Sequence, residues 1–295
     1  MDISEIFNLE FIRLMLRLSA PITLAAIGGT ISERSGVINI GLEGLMLFGA
    51  FGAVAGSFFT GNPWLGLVSA AILGGIGGGI MAILCVKYRA NQVVSGVGIN
   101  IMAVGFTTLM INTIWGRQGM SDSVIPLPRW YIPGFGTISP LLIFTLIIVL
   151  VTWIIFYKTK IGLNLRSIGD HPKAAKASGI KVNRYRYFCV TMSGVLAGLG
   201  GAFLSLVQNN LFVSGMSAGR GFMALAANIF GGWNPLGSFL ASLVFSFAQA
   251  LRFNLVGLAI PDQLVQSIPY IVTLLVLVFA QKKSQAPEAL GEIYE

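Results

Sequence analysis

Asp170-His171-Pro172-Lys173-Ala174-Ala175-Lys176-Ala177-Ser178-Gly179 sits inside a basic stretch that also carries Lys158, Lys160, Arg166, Lys181, Arg184 and Arg186. The apolar segment 140–157 precedes this stretch and the apolar segment 188–207 follows it. A basic loop between long apolar runs marks the cytoplasmic side of a polytopic membrane protein. Within the loop, proline suits the first helical position and glycine the residue just past the last one, so residues 172–178 predict a short helix. Loops between membrane spans seldom need a bounded helix. This one reads as a handle for a cytoplasmic partner.

Composition agrees. The chain is 55% hydrophobic and only 10% charged, against about 25% charged in ordinary soluble domains. Its 37 glycines would weaken soluble helices but let membrane helices approach closely. The net charge of +8 does not indicate nucleic acid, because the cations sit at the ends of apolar runs and form no basic stripe with interleaved aromatics. Cys85 and Cys189 have no metal or redox spacing, and a single histidine serves zinc chemistry poorly. Residues 1–10 are acidic and show no cleavage site, so no cleavable signal peptide is expected.

A spanning helix needs about 20 apolar residues. On that measure the chain is an all-α integral membrane protein with nine spans, at 12–31, 39–59, 64–85, 93–115, 139–157, 186–208, 219–232, 236–256 and 264–280. The seventh is short and reads as a broken or tilted helix. The loop 116–137 holds Pro126, Pro128, Trp130, Tyr131 and Pro133 and should lie at the membrane interface. With the basic loop inside, Lys87, Arg89, Lys282 and Lys283 fall inside and the uncharged turn Gly61-Asn62-Pro63 falls outside. The N-terminus is then outside and the C-terminus inside. That order leaves Arg13 and Arg17 near the outer face, against the positive-inside tendency.

The chain echoes itself. Ser19 with Gly28-Gly29 matches Ser193 with Gly200-Gly201, Gly44-Leu45-Met46 matches Gly221-Phe222-Met223, and Asn62-Pro63-Trp64-Leu65-Gly66 matches Asn234-Pro235-Leu236-Gly237. The copies begin five spans apart. An odd displacement makes spans 1–4 and 6–9 an inverted repeat, as transporters use around a substrate route.

The polar run from Ser32 to Gly44 interrupts the first two spans. Irregular backbone at membrane depth is tolerated only where protein or a water-filled cavity covers it. Asn39 and Glu43 therefore either border a permeation route or serve local structure, Glu43 by complementing a helix dipole and Glu33 by pairing with Arg34. Asn100 and Asn228 lie mid-span among small residues and are further route candidates. A buried amide needs a partner, and interhelical bonding accounts for most others, such as Asn112 and Gln249. Amides without a charged relay suit a neutral polar solute. The run Gly74-Gly75-Ile76-Gly77-Gly78-Gly79 superficially suggests a phosphate loop, but inside an apolar span it reads as a helix-packing face. No Walker lysine motif follows a strand, and no acid–base constellation indicates an enzyme.

Three motifs carry a family likeness: Glu33-Arg34-Ser35-Gly36-Val37-Ile38-Asn39-Ile40-Gly41-Leu42-Glu43-Gly44, Ala90-Asn91-Gln92-Val93-Val94-Ser95-Gly96, and Gly231-Gly232-Trp233-Asn234-Pro235-Leu236-Gly237. With them the chain resembles the permease subunits of bacterial ABC importers, in the nucleoside branch of the family that includes ribose and branched-chain amino-acid permeases. The resemblance implies a single transmembrane permease domain over 1–295, with a cytoplasmic coupling loop at 158–186 and a cytoplasmic tail at 281–295. It implies a bacterial cell-membrane location and a heterodimer with a second, related permease. It also implies an extracellular substrate-binding lipoprotein and a cytoplasmic ATPase, on which ATP and magnesium would be held. The coupling residues would be Asp170, His171, Pro172, Lys173, Ala175, Lys176 and Gly179. A simple-sugar permease and a secondary carrier are the alternative functions.

Overall fold

The computed structural model describes residues 8–134, 136–255 and 286–292. The ninth predicted span, 264–280, lies outside the described residues. The other eight each coincide with a helix: α1 (Leu9–Glu33), α2 (Leu42–Thr60), α3 (Pro63–Ala82), α4 (Gln92–Trp115), α5 (Pro140–Lys158), α8 (Val182–Ala202), α9 (Arg220–Phe230) and α10 (Pro235–Leu255). Turn chemistry sets several of the boundaries. Asn62, Asn91 and Ser139 accept hydrogen bonds from the first amides of α3, α4 and α5. Gly61 and Gly116 end α2 and α4 at φ 65° and 61°, where a side chain would be strained.

α3 and α8 each run on as π-helix, at Ile83–Lys87 and Phe203–Asn209. With these extensions, six helices among the described residues are long and apolar enough to cross a membrane: α1, α2, α3, α4, α5 and α8. α9 has 11 residues, about 16 Å at the α-helical rise, too short to cross alone. The most apolar windows of α1, α2 and α8 are 72%, 72% and 83% buried within the chain, whereas those of α3 and α4 are 33% buried. α1, α2 and α8 are therefore central. α3, α4 and α5 turn Ile, Leu and Val side chains outward, as a lipid-facing or subunit-facing surface requires.

Small residues set the central spacing. A Cβ on Gly49 of α2 would overlap the Gly198 carbonyl of α8. A Cβ on Gly78 would lie 2.8 Å from the Val190 carbonyl oxygen and 2.9 Å from Gly194 Cα. The glycine run in α3 is thus a packing face against α8, with glycines four apart meeting glycines four apart.

Two departures from the sequence reading stand out. The loop 116–137 carries a two-stranded antiparallel ribbon, β1 (Trp130–Ile132) with β2 (Gly136–Ile138), so the fold is mainly rather than wholly helical. Its prolines forbid helix, and Gly134 and Gly136 supply the left-handed turn. Secondly, the basic loop holds two helices, α6 (Lys160–Asp170) and α7 (Pro172–Ala177). Thr159 caps α6 at the Gly162 amide, and Leu165 and Ile168 bury its apolar stripe.

Candidate functional site

The break between α1 and α2, residues 34–41, organises the polar interior. α1 stops where Gly36 takes φ 89°. Ser32 Oγ donates to the Val37 carbonyl at 2.7 Å and Ser35 Oγ to the Ser32 carbonyl at 2.6 Å, so the turn closes on itself. Glu33, only 2% exposed, ends α1 inside the protein. Its Oε2 accepts from Asn228 Nδ2 at 2.6 Å and from Trp233 Nε1 at 2.5 Å. Asn228 Oδ1 in turn accepts from Thr30 Oγ1 at 2.7 Å and from Ser238 Oγ at 3.4 Å. The carboxylate thereby ties α1 to α9 and to the turn after it, and Ser238 brings in α10 through Asn228 and Thr30. The expected pair of Glu33 with Arg34 does not form. Arg34 donates instead to the Trp233 and Gly232 carbonyls, at 2.8 and 3.2 Å.

Glu43 does complement a helix dipole, but not its own. Oε1 accepts from the Gly219 amide at 2.8 Å and Oε2 from the Gly221 amide at 2.7 Å. These are the first amides of α9, whose own N-cap, Gly219, has no side chain to offer. Asn100 is spent on backbone. Its Oδ1 accepts from the Gly44 amide at 2.7 Å, and its Nδ2 donates to the Ile40 carbonyl at 3.1 Å. Asn39, fully buried, donates to Ser193 Oγ at 2.8 Å. Its Oδ1 accepts no hydrogen bond. Asn39 lies in the α1–α2 break and Asn100 bonds to it, Asn228 holds Glu33 just before it, and Glu43 just after it ties α2 to α9; Asn39 alone among them keeps a spare buried acceptor.

On the basic loop, the short predicted helix is α7. Its sides are unequal. Pro172 and Ala175 are buried, Ala175 against Ile168 and Val182. Lys173, Ala174, Lys176 and Ala177 are exposed, and Gly179 ends the segment at φ 83°. Ala175 therefore seats α7 on its own chain, and the outward face belongs to its neighbours. Asp170 is the last residue of α6 rather than a cap of α7. His171 Nε2 lies 3.2 Å from Glu288 Oε2 on the surface.

The C-terminal residues 286–292 join these two regions. The Ala289 amide donates to the Gly169 carbonyl at 2.9 Å, beside α7, and the Gly291 amide to the Gly36 carbonyl at 3.2 Å, in the α1–α2 break. Arg186, the last cation of the basic stretch, is only 3% exposed. It donates to the Ser35 carbonyl at 3.0 Å and to the Glu292 carbonyl at 3.4 Å. Sequence reasoning missed Arg186, Ser193, Trp233 and Ser238 as members of these networks. Trp233 stood visible in a glycine-rich turn, but no spacing rule links an indole to a carboxylate 200 residues away. Among the described residues no group of His, Cys, Asp or Glu could hold a metal ion, and both cysteines are free and buried.

Residues 11–280 match the family model described as branched-chain amino acid transport system / permease component. The guanosine ABC transporter permease protein NupQ of Bacillus subtilis (strain 168) is 39% identical, over 100% of this chain and 98% of its own. The nucleoside ABC transporter permease protein NupC of Lactococcus lactis subsp. cremoris (strain MG1363) is 36% identical over 95% of both chains. In fold, the chain is similar to a solved metal-chelate type ABC transporter in an inward-facing conformation. The TM-score is 0.51 at 15% identity, over 90% of this chain and 84% of that one.

Proposed function

Because this chain belongs to the branched-chain amino acid transport system permease-component family, we propose that it is the transmembrane subunit of an ATP-driven ABC importer that moves nucleosides into the cell. The observation that carries the reading is the end-to-end likeness to the guanosine and nucleoside permeases. The chain is a transport subunit and not an enzyme. It works as a multi-pass protein of the bacterial cell membrane, and its cycle is driven by ATP and magnesium held on a partner ATPase. A second, related permease completes the route, and an extracellular binding lipoprotein delivers the solute.

The chain has nine spans, with 1–4 and 6–9 as an inverted repeat, and the contact of α1 with α8 supports the repeat. A Cβ on Gly28 of α1 would lie 2.8 Å from the Ser193 carbonyl oxygen of α8, and one on Gly200 of α8 would lie 2.8 Å from the Pro21 carbonyl oxygen of α1. The two contacts interchange when Gly28 is matched with Gly200, which is the reciprocity expected of a two-fold relation between copies. Within the single permease domain, the seam held by Asn39, Glu43, Asn100 and Asn228 borders the route, and Asn39 Oδ1 is its spare acceptor for a solute donor. The loop 158–186 is cytoplasmic and couples to the ATPase through α7, with Lys173, Ala174, Lys176 and Ala177 outward. Asp170, His171, Pro172, Ala175 and Gly179 set its position, and the tail 281–295 lies on the same side. The N-terminus is extracellular.

The test is uptake of labelled guanosine, adenosine and uridine by cells with and without this chain. Uptake should require the chain together with a competent partner ATPase. In the same cells an impermeant thiol reagent should label a cysteine at Ser4 and spare one at Ser178. Uptake that survives a dead ATPase but collapses with a proton uncoupler would make the chain a secondary carrier. Preference for ribose over every nucleoside would make it a sugar permease.

A further inference from the structure

Arg13 and Arg17 lie four residues apart on one face of α1, at its N-terminal end. On the orientation proposed above this is the outer end, where cations are disfavoured. The structure adds a third. Arg129 comes in from the outer loop, and Arg17 and Arg129 both donate to one carbonyl oxygen, that of Val207, at 2.8 and 3.3 Å. The two cations thus share a single neutral acceptor. Glu10 pairs with Arg13 at 2.9 Å, and neither Arg17 nor Arg129 has a carboxylate partner among the described residues. The turn of the β-ribbon holds Arg13 in place, since a Cβ on Gly136 would lie 2.7 Å from its Cζ.

The three guanidinium groups line a cavity of about 240 Å³, whose other walls include Leu14, Leu142 and Phe203. The cavity is amphipathic: besides the three cations and these hydrocarbon walls it is lined by Glu10, which pairs with Arg13, and by Thr137 and Ser139. Its depth in the membrane is marked by the ribbon, where Trp130 and Tyr131, next to Arg129, are 52% and 74% exposed. Exposed Trp and Tyr sit at the headgroup level of a bilayer. Guanidinium groups bind phosphate oxygens in planar, bidentate fashion.

We propose that the Arg13–Arg17–Arg129 cavity seats the phosphate of an anionic phospholipid of the outer leaflet, with the lipid's apolar part against Leu14, Leu142 and Phe203. The chemistry recognised is a phosphate ester. The apolar walls and the aromatic level favour a lipid over a soluble anion or an acidic side chain of an extracellular protein, which would approach from water. The lipid answers the charge that Val207 leaves over and pins the outer end of α1 to the π-helical end of α8. The choice of leaflet rests on the proposed orientation, and the Ser4 and Ser178 labelling tests that separately. Binding itself can be measured whichever way the chain is inserted.

The experiment uses the assembled transporter in phosphatidylcholine nanodiscs doped with phosphatidylglycerol, with retained lipid read by native mass spectrometry. Wild type should retain phosphatidylglycerol in preference to phosphatidylcholine. The pair Arg17→Gln and Arg129→Gln should weaken that retention about 30-fold, as expected for two basic residues near a membrane surface. The pair Arg17→Lys and Arg129→Lys should restore only part of it, since an ammonium supplies the charge without the bidentate fork. Arg129→Gln alone, on an exposed loop, should give a partial loss and serves if the pair does not assemble. Equal retention of both lipids by wild type, or undiminished phosphatidylglycerol in the Gln variants, overturns the proposal. Displacement of the lipid by inorganic phosphate makes the occupant a soluble anion and also overturns it. So does loss of binding-protein docking in the Gln variants with lipid retention unchanged, which would assign the arginines to that partner.

Discussion

Replacing Lys173 and Lys176 together by Glu is expected to abolish ATP-driven uptake while the chain remains inserted and at normal abundance. Both lysines are exposed on α7, which has 6 residues and is far too short to be stable in water without a surface to pack on. Its inner side already has one, formed by Ile168 and Val182 around Ala175. Its outer side presents two cations three residues apart, on one face. If the ATPase meets them with acidic or polar groups, reversing both charges costs about 3 kcal/mol or more, roughly a hundredfold in docking. In a purified complex, ATP hydrolysis should then no longer respond to the loaded binding protein. Ala175→Arg should behave differently, because its cation would be forced into the apolar seat beneath α7. It should lower the amount of folded chain rather than uncouple a folded one. Normal uptake by the double Glu variant would remove α7 from the coupling surface.

Asn228→Leu should be the most damaging of the amide substitutions. Leucine keeps similar volume but removes the donor to Glu33 and the acceptor of Thr30 Oγ1. A carboxylate at 2% exposure is then left with one hydrogen bond fewer, a loss of about 3 kcal/mol. Asn100→Leu should cost less, about 1–2 kcal/mol, because Asn100 is only half-buried and its partners are neutral backbone groups. Thermal unfolding of the purified variants, followed by intrinsic fluorescence, ranks the two. The double variant Glu33→Leu with Asn228→Leu should be less destabilised than the sum of its parts, since removing both members leaves no stranded charge. Strict additivity would mean that the Glu33–Asn228 bond carries no coupling. Asn39→Leu separates the two roles of the seam. It should reduce transport more than stability if the spare Oδ1 serves the solute.

The spans were legible because their cause is local. A membrane demands a run of apolar residues of fixed length, and the runs 12–31, 39–59, 64–85, 93–115, 139–157 and 186–208, which form the described helices long enough to cross, show themselves without reference to the rest of the chain. The helix at Pro172–Ala177 was legible for the same reason, since proline and glycine act on their own backbone. α6 was harder to see. Its buried large apolar positions, Leu165 and Ile168, are few and stand among Lys160, Asn164, Arg166, Ser167 and Asp170, so the segment reads as a loop. Which partner each polar residue takes was not legible at all. Glu43 caps α9 from 176 residues away, Glu33 is held by Asn228 and Trp233, and Arg186 leaves the loop cations to bond Ser35. Such pairings depend on which helices the fold brings side by side. Close glycine packing of α2, α3 and α8 decides that, and hydropathy carries no record of it. The sequence by itself determined a helical membrane chain with a bounded basic loop and irregular polar backbone between its first two spans. Only the tertiary structure decided that the amides are spent on that break, that α7 faces outward through its lysines, and that residues 286–292 bind the two regions together, because hydrogen bonds between distant segments exist only after the helices have packed.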